Sequence, residues 1–291
     1  MSSVPRRAAL FLPFLVLPLA DAGEAQSGRE IMERALEEYE SRMADVRQYT
    51  VTQHVDVMGS VTTTHFVKRM VDGHPVFVDT SRARPGGQGT PEGWGNPYRL
   101  FPQLADRVEL RGRAELEGTP AWALRVTDFS GLDLQGMTPE QVPGEFRPRE
   151  LVLHLGTEDL AIRRLQMEGT VEREDGSKPI RMDARFADYR SVEGMLYPFR
   201  MEISIEGMSA VMSQEERRRA RRQLRQIQSQ LDSLDEEQRR MMEGALGSQI
   251  RQLQQIVEAG SIDATVEVRE LRVNEPPPAA AGGGAGDGSG G

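Results

Sequence analysis

The chain has 291 residues, a formal net charge of -9, 28% charged residues and no cysteine. Its length suits one large domain or two small ones. The acidic balance argues against a general nucleic-acid binder, and the lack of cysteine removes disulfides, thiol nucleophiles and thiolate metal sites.

Arg6 and Arg7 precede an apolar run over residues 8–20, AALFLPFLVLPLA, and small residues follow at Ala20, Ala22, Gly23 and Ala25. This is the layout of a secretory signal peptide cleaved after Ala22 or Ala25, so residues 1–25 are expected to leave the mature protein. The run is shorter than the roughly 20 residues a spanning helix needs, and two prolines interrupt it. Without a cysteine a lipid anchor is not expected. The mature chain should be soluble outside the cytoplasm, which in a Gram-negative-type cell means the periplasm.

Residues 28–43 read as an amphipathic helix, with Ile31, Ala35, Leu36, Tyr39 and Met43 at helical spacing. Ser27 and Glu30 form a capping-box pair. Residues 49–58 and 61–70 read as a hairpin about a two-residue Gly59-Ser60 turn. That register sets His54 opposite His65, with Asp56 on the same face. Two imidazoles and a carboxylate are a zinc-ligand set. Thr50, Thr52 and Thr63 share the face, so a solvent-facing polar pair is the plainer reading, and no metal or cofactor is expected. A short strand over residues 75–79 follows.

Residues 82–102 lack periodicity but carry Trp94, Leu100 and Phe101. Such a stretch suits a lid or binding loop, or an excursion tacked to the core by its aromatics. Strands resume at 107–116 and 121–127, the latter with Trp122, Leu124 and Val126 inward. A second irregular loop spans 128–148, and a hairpin at 151–155 and 160–168 follows.

The clearest alternation lies in residues 180–208. Ile180, Met182, Ala184 and Phe186 face one way against Arg181, Asp183 and Arg185; Phe199, Met201, Ile203 and Ile205 repeat the pattern after a turn at 191–194. One apolar and one charged face point to an antiparallel sheet covered on one side.

Residues 213–259 break the strand pattern. Ser213 with Glu216 signals a helix start, and Leu224, Ile227, Leu231 and Leu234 keep 3-4-3 spacing. A second stripe runs from Met241 to Ile256 after a fresh cap at Asp232 or Asp235. Either a helical hairpin or one long helix fits. Arg217, Arg218, Arg219, Arg221, Arg222 and Arg225 form a basic run, suited to an anionic membrane surface or an acidic envelope partner, or to a solvated face balanced by nearby acids. Residues 261–273 return to strand, with a bulge expected near Arg269 and Glu270. Residues 275–291, rich in proline, alanine and glycine, read as a disordered tail.

The order of these elements, with the segment Phe186-Ala-Asp-Tyr-Arg-Ser-Val-Glu-Gly-Met-Leu-Tyr-Pro198, resembles the superfamily of periplasmic outer-membrane lipoprotein-sorting carriers, LolA-like and LolB-like. The family's recurring tyrosine, turn glycine and strand-opening proline match Tyr189, Gly194 and Pro198. The resemblance covers roughly residues 28–207 and 261–274; the 213–259 insertion and the tail are departures. It implies an α+β fold: a strongly curved antiparallel sheet, an incomplete β-barrel, packed on the N-terminal helix, as one domain over residues 26–274. It further implies a cavity for a lipid, a lipoprotein acyl chain or another hydrophobic ligand. Trp122, Leu124, Val126, Phe186, Phe199, Met201 and Ile203 are the expected groove lining, with Trp94 and Phe101 as gates. No nucleophile elbow, glycine-rich phosphate fingerprint or metalloprotease helix occurs, so a non-catalytic protein is expected. The alternative is a structural or interaction protein of the envelope that uses the arginine-rich hairpin, through Arg217, Arg218, Arg221, Arg222 and Arg225.

Overall fold

The computed structural model describes residues 27–57, 59–71, 73–80, 100–132, 145–173, 176–240, 247, 250 and 254–276. The proposed signal peptide, Trp94, most of the loops at 82–102 and 128–148, most of the second helical stripe and the tail lie outside these residues.

The chain opens with α1 (Gly28–Arg42). Its capping box is formed: the Ser27 hydroxyl accepts from the Glu30 N–H at 3.2 Å and the Glu30 carboxylate accepts from the Ser27 N–H at 2.7 Å. Such a cap contributes about 1 kcal/mol. Ile31, Met32, Ala35 and Tyr39 bury one face of the helix. Then follow β1 (Gln48–Val55), β2 (Ser60–Val71), β3 (His74–Asp79), the single turn α2 (Phe101–Leu104), β4 (Glu109–Leu116), β5 (Thr119–Val126), β6 (Glu145–Gly156), β7 (Ile162–Glu172), β8 (Lys178–Val192) and β9 (Met195–Glu206). The single turn α3 (Met208–Val211), the longer α4 (Gln214–Asp232), a π-helical turn (Gln255–Ala259) and β10 (Ser261–Val273) complete the order.

All ten strands form one antiparallel sheet in the order β3-β2-β1-β10-β9-β8-β7-β6-β5-β4. Two meanders are joined by β10, which lies between β1 and β9. This corrects the expected strongly curved, incomplete barrel. The sheet is open and not strongly curled, and among the described residues β3 and β4 are its end strands. Curling a sheet toward closure takes repeated bulges and a staggered register. The ladders β7–β8 and β8–β9 run without a register shift, so the middle of the sheet lacks the stagger that closure needs. Bulges occur elsewhere: Thr52 pairs with Glu270 and Gln53 with Val268, which leaves Arg269 bulged where the shift of inward positions in the sequence places it.

The β8–β9 hairpin has the predicted alternation. Its central turn residues Glu193 and Gly194 have φ of 49° and 85°. Two positive values mark the mirror-image turn whose twist matches the flanking strands, and glycine adopts it without a Cβ penalty. Tyr189 pairs directly with Pro198 across this hairpin, and its hydroxyl donates to the Ile162 carbonyl.

Two further expectations are corrected. The first hairpin does not turn at Gly59-Ser60: Val55 pairs with Ser60, His65 with Thr50, and residues 56–59 form the connection. The reason is Asp56. Its carboxylate accepts from the Val57 N–H at 2.6 Å and the Thr265 N–H at 2.7 Å, and its own N–H donates to the Thr265 carbonyl at 3.0 Å, so the chain leaves the β1–β2 ladder while still held to β10. The loop at 128–148 also ends early, because Phe146, Arg147 and Pro148 already pair with Val171, Thr170 and Gly169. A Cβ on Gly169 would lie 2.5 Å from the Arg147 carbonyl and 2.6 Å from the Phe146 ring. Glycine there lets the two strands close.

The apolar face holds two clusters. One joins Ile31, Met32 and Ala35 of α1 to residues of β5–β10, α2 and α3; the other gathers Tyr39, Met43, Tyr49, Phe66, Phe77, Tyr197 and Phe199. Leu36 packs against both. In the second, Tyr49 stacks on Phe66 at 4.8 Å between ring centres and meets Phe77 at 5.1 Å. Offset aromatic pairs of this kind contribute about 1 kcal/mol beyond their buried area.

Candidate functional site

The period-two pattern gives the sheet two chemically distinct faces, and the helical segment after β9 gives a third surface. On the apolar face the structure brings together most of the expected groove positions. Leu124, Val126 and Phe101 are fully buried, Phe186 and Met201 are nearly so and are direct partners across β8–β9, and Trp122 and Ile203 pack half-buried against the same cluster. Arg113 lies over the Trp122 ring at 4.6 Å from its centre. Phe199 is not with them: it belongs to the second cluster, beneath the Arg190 guanidinium at 4.4 Å.

The sequence alone does not single out the feature that runs through this face. Met167 pairs with Met182 across β7–β8, Met182 pairs with Ile205 across β8–β9, and Met32 of α1, Met201 of β9 and Met208 of α3 join the same cluster. All five methionines are buried. Unbranched thioether chains repack at low cost, so the seam where Met167 meets Met182 is a readily deformed part of the core. The signal is present in the sequence as Met182 and Met201, but the pairing of Met182 with Met167 and the presence of Met32, Met201 and Met208 in the same cluster depend on long-range contacts.

The charged face carries two adjoining pockets of about 520 and 510 Å³, both bordered by Arg164, Arg185 and Glu202, which are register partners across β7, β8 and β9. Glu117, at the β4–β5 turn, reaches Arg185 at 3.7 Å. Asp183 accepts from the Arg164 guanidinium and from Gln166. Burial alone would raise the Asp183 carboxyl. The hydrogen bonds and charge of Arg164 outweigh it, so the group sits below the usual carboxylate range. Beside it His154 is buried, its Nδ1 lacks a hydrogen-bond partner, and burial followed by the Arg164 charge holds it below the usual imidazole range. Acids and bases alternate too evenly here to favour a ligand of one sign.

The proposed metal-ligand set is not assembled. His54 faces Val61, while His65 faces Thr50 and hydrogen-bonds its hydroxyl at 2.9 Å. The two histidines are therefore separated by four strand residues, about 13 Å at about 3.3 Å per residue. Asp56 is engaged by backbone N–H groups. Among the described residues no group of three or more histidine or acidic side chains could hold a metal ion.

The third surface is α4. A second capping box fixes its start: the Ser213 hydroxyl accepts from the Glu216 N–H at 3.1 Å, the Glu216 carboxylate accepts from the Ser213 N–H at 2.6 Å, and Arg173 pairs with Glu216 at 3.1 Å. The helix stops at Ser233, and Asp235 caps a new helical stretch by accepting from the Gln238 N–H at 2.8 Å. The chain is thus broken there rather than continuous. Ala220, Leu224 and Leu231 bury one stripe of α4. Arg218, Arg221, Arg222 and Arg225 are exposed, and Arg217 is half-buried. Arg219 reaches Glu215 at 4.0 Å, whereas the other five have no acidic partner among the described residues. Arg217, Arg218 and Arg221, with Gln214, line a recess of about 230 Å³. No described helix is long and apolar enough to cross a membrane.

No family model matches the chain, and no curated protein sequence matches it. Among solved structures it is similar to a DUF1329 family protein from Desulfovibrio piger, at 12% identity and a TM-score of 0.38, over 85% of this chain and 92% of that one. It is also similar to a protein described as an outer membrane lipoprotein-sorting protein domain from Vibrio parahaemolyticus, at 10% identity and a TM-score of 0.37, over 84% and 93%. A weaker likeness, at 12% identity and a TM-score of 0.20 over 60% of this chain and 79% of that one, is to a chain of the MucA/MucB complex of Pseudomonas aeruginosa. The likeness is distant.

Proposed function

We propose that this is a non-catalytic binding protein of the bacterial periplasm that takes up a lipid, a lipoprotein acyl chain or another hydrophobic ligand on the apolar face of its sheet. The domain is residues 26–274 after removal of the signal peptide, with residues 213–259 as a helical insertion. The observation that supports it is the methionine seam at Met167 and Met182, paired across β7–β8 inside a buried cluster that also holds Met32, Met201 and Met208. An aliphatic chain can replace such side chains with little loss of contact. A tail of roughly sixteen carbons gains about 12 kcal/mol at about 0.8 kcal/mol per methylene. Losses of about 4 kcal/mol to ordering and displaced contacts leave micromolar affinity.

The test is native mass spectrometry and lipid extraction of protein purified from its own envelope, with titration of a photoreactive fatty-acyl probe. Co-purifying lipid, or saturable labelling of peptides carrying Met167, Met182 or Met201, supports the proposal. A protein that is empty and never labelled in these strands ends it.

A second reading has its own observation. Five arginines at the start of α4 lack acidic partners among the described residues, so α4 serves as a contact surface for an anionic partner in the envelope.

A further inference from the structure

We infer that α4 docks the protein flat on a membrane surface through lipid phosphate headgroups, by electrostatics and without insertion. This rests on the second reading above and names its partner.

Three observations carry it. Arg218, Arg221, Arg222 and Arg225 stand at i, i+3, i+4 and i+7, so they share one face about 10 Å long. Ala220 and Leu224 are buried on the other side of the helix, which fixes the rotation and points the arginines outward. Second, the recess of about 230 Å³ between Arg217, Arg218 and Arg221 has guanidinium groups on its walls and no acid. Guanidinium forks match the oxygens of a phosphate group bidentately. Third, the outward face continues with the exposed uncharged side chains of Gln214, Gln228 and Ser229 and meets the acid Asp232 at its far end, seven residues beyond Arg225. Tight protein interfaces are anchored by buried aromatic or aliphatic side chains, and this face has none. For the same reason nothing on it can enter the acyl region of a bilayer. A planar array of phosphates is the partner whose recognition needs only charge and hydrogen bonds.

Each basic side chain at an anionic surface multiplies binding about fivefold. Neutralising four should therefore lower partitioning by on the order of several hundredfold. The experiment is vesicle flotation of the mature full chain. Wild type should float with vesicles rich in phosphatidylglycerol, not with pure phosphatidylcholine, and molar salt should release it by screening. The quadruple variant R218Q/R221Q/R222Q/R225Q should lose flotation while its circular dichroism and acyl-probe binding stay unchanged. The matching lysine variant, which keeps the charge but not the guanidinium fork, should float more weakly than wild type and more strongly than the glutamine variant.

Wild type that ignores anionic vesicles overturns the inference, as does binding that survives the glutamine changes or molar salt. Capture by immobilised polyglutamate without vesicle binding also overturns it and leaves the broader contact reading standing with an acidic protein. Equal competition by inorganic phosphate at concentrations that leave vesicle charge intact would assign the recess to free phosphate and overturn the membrane role.

Discussion

Replacing Met182 by alanine separates a core that is merely filled from one that yields to a ligand. Met182 is fully buried in β8, paired with Met167 on one side and Ile205 on the other. Truncation removes three heavy atoms and leaves a hole between two strands that have no bulge through which to relax. Methionine-to-alanine changes in such sites cost about 2–5 kcal/mol, so about 3 kcal/mol is expected here. For a domain of this size that lowers Tm by about 6–12 °C. If the seam is where an acyl chain lies, the hole is accessible to it. A fatty-acyl probe at about a hundred times its Kd then restores about 2.7 kcal/mol, nearly the whole deficit. Differential scanning calorimetry of wild type and variant, with and without probe, reads both quantities. A deficit below about 0.5 kcal/mol would refute the packing described for the seam. A full deficit with no recovery in either protein would refute the ligand reading.

Two further predictions concern the sheet. Stability should fall on acidification in two legs. His154 is held below its ordinary value of about 6.5, so the unfolded chain takes up that proton first and stability drops as pH falls from there to the lowered value; Asp183 contributes fully above about pH 3.9 and loses that contribution as pH falls through its own lowered value. In urea titrations across pH, His154→Gln should shrink the first leg to the part that His65, also held low by burial, contributes and leave the second, and an unchanged first leg would show that His154 has no share in it. Gly169→Ala places a methyl 2.5 Å from the Arg147 carbonyl and should cost about 2 kcal/mol of stability, read from the shift in urea midpoint; a silent substitution would contradict the pairing of β6 upstream of Pro148.

What is local in the sequence is legible there. Ser27 with Glu30 and Ser213 with Glu216 mark helix starts because each cap is closed within three residues. The β8–β9 arms and their turn at Gly194 follow from alternation and one glycine. The rest depends on distant partners. The β1–β2 register is hidden because the Asp56 carboxylate is spent on Thr265, 209 positions away. Pro148 hides the start of β6, since nothing local reveals that it pairs with a glycine. The openness of the sheet is invisible for the same reason: alternation states which residues face inward, not whether the end strands meet. On the candidate site, the strand positions of Trp122, Leu124, Phe186 and Met201 are legible as one face, whereas the separation of Phe199 into another cluster is not. The arginine face is visible as a run, but its lack of acidic partners among the described residues is a property of the folded chain.

The place of β10 constrains how the molecule can come into being. It is last in the order of strands yet lies between β1 and β9, and Asn274 at its end accepts from the Arg47 N–H at 2.7 Å and donates to the Asp45 carbonyl at 2.9 Å. Until that strand emerges, the β1–β3 meander and the β4–β9 meander are two half-sheets, each ending in a bare ladder of backbone donors and acceptors. Such edges recruit other extended chains. Joining them requires contacts spanning more than two hundred residues, a slow step by the relation between contact order and folding rate. The newly made chain therefore has an interval of vulnerability, longest for the strands made first, in which a holdase would find two sticky margins to shield.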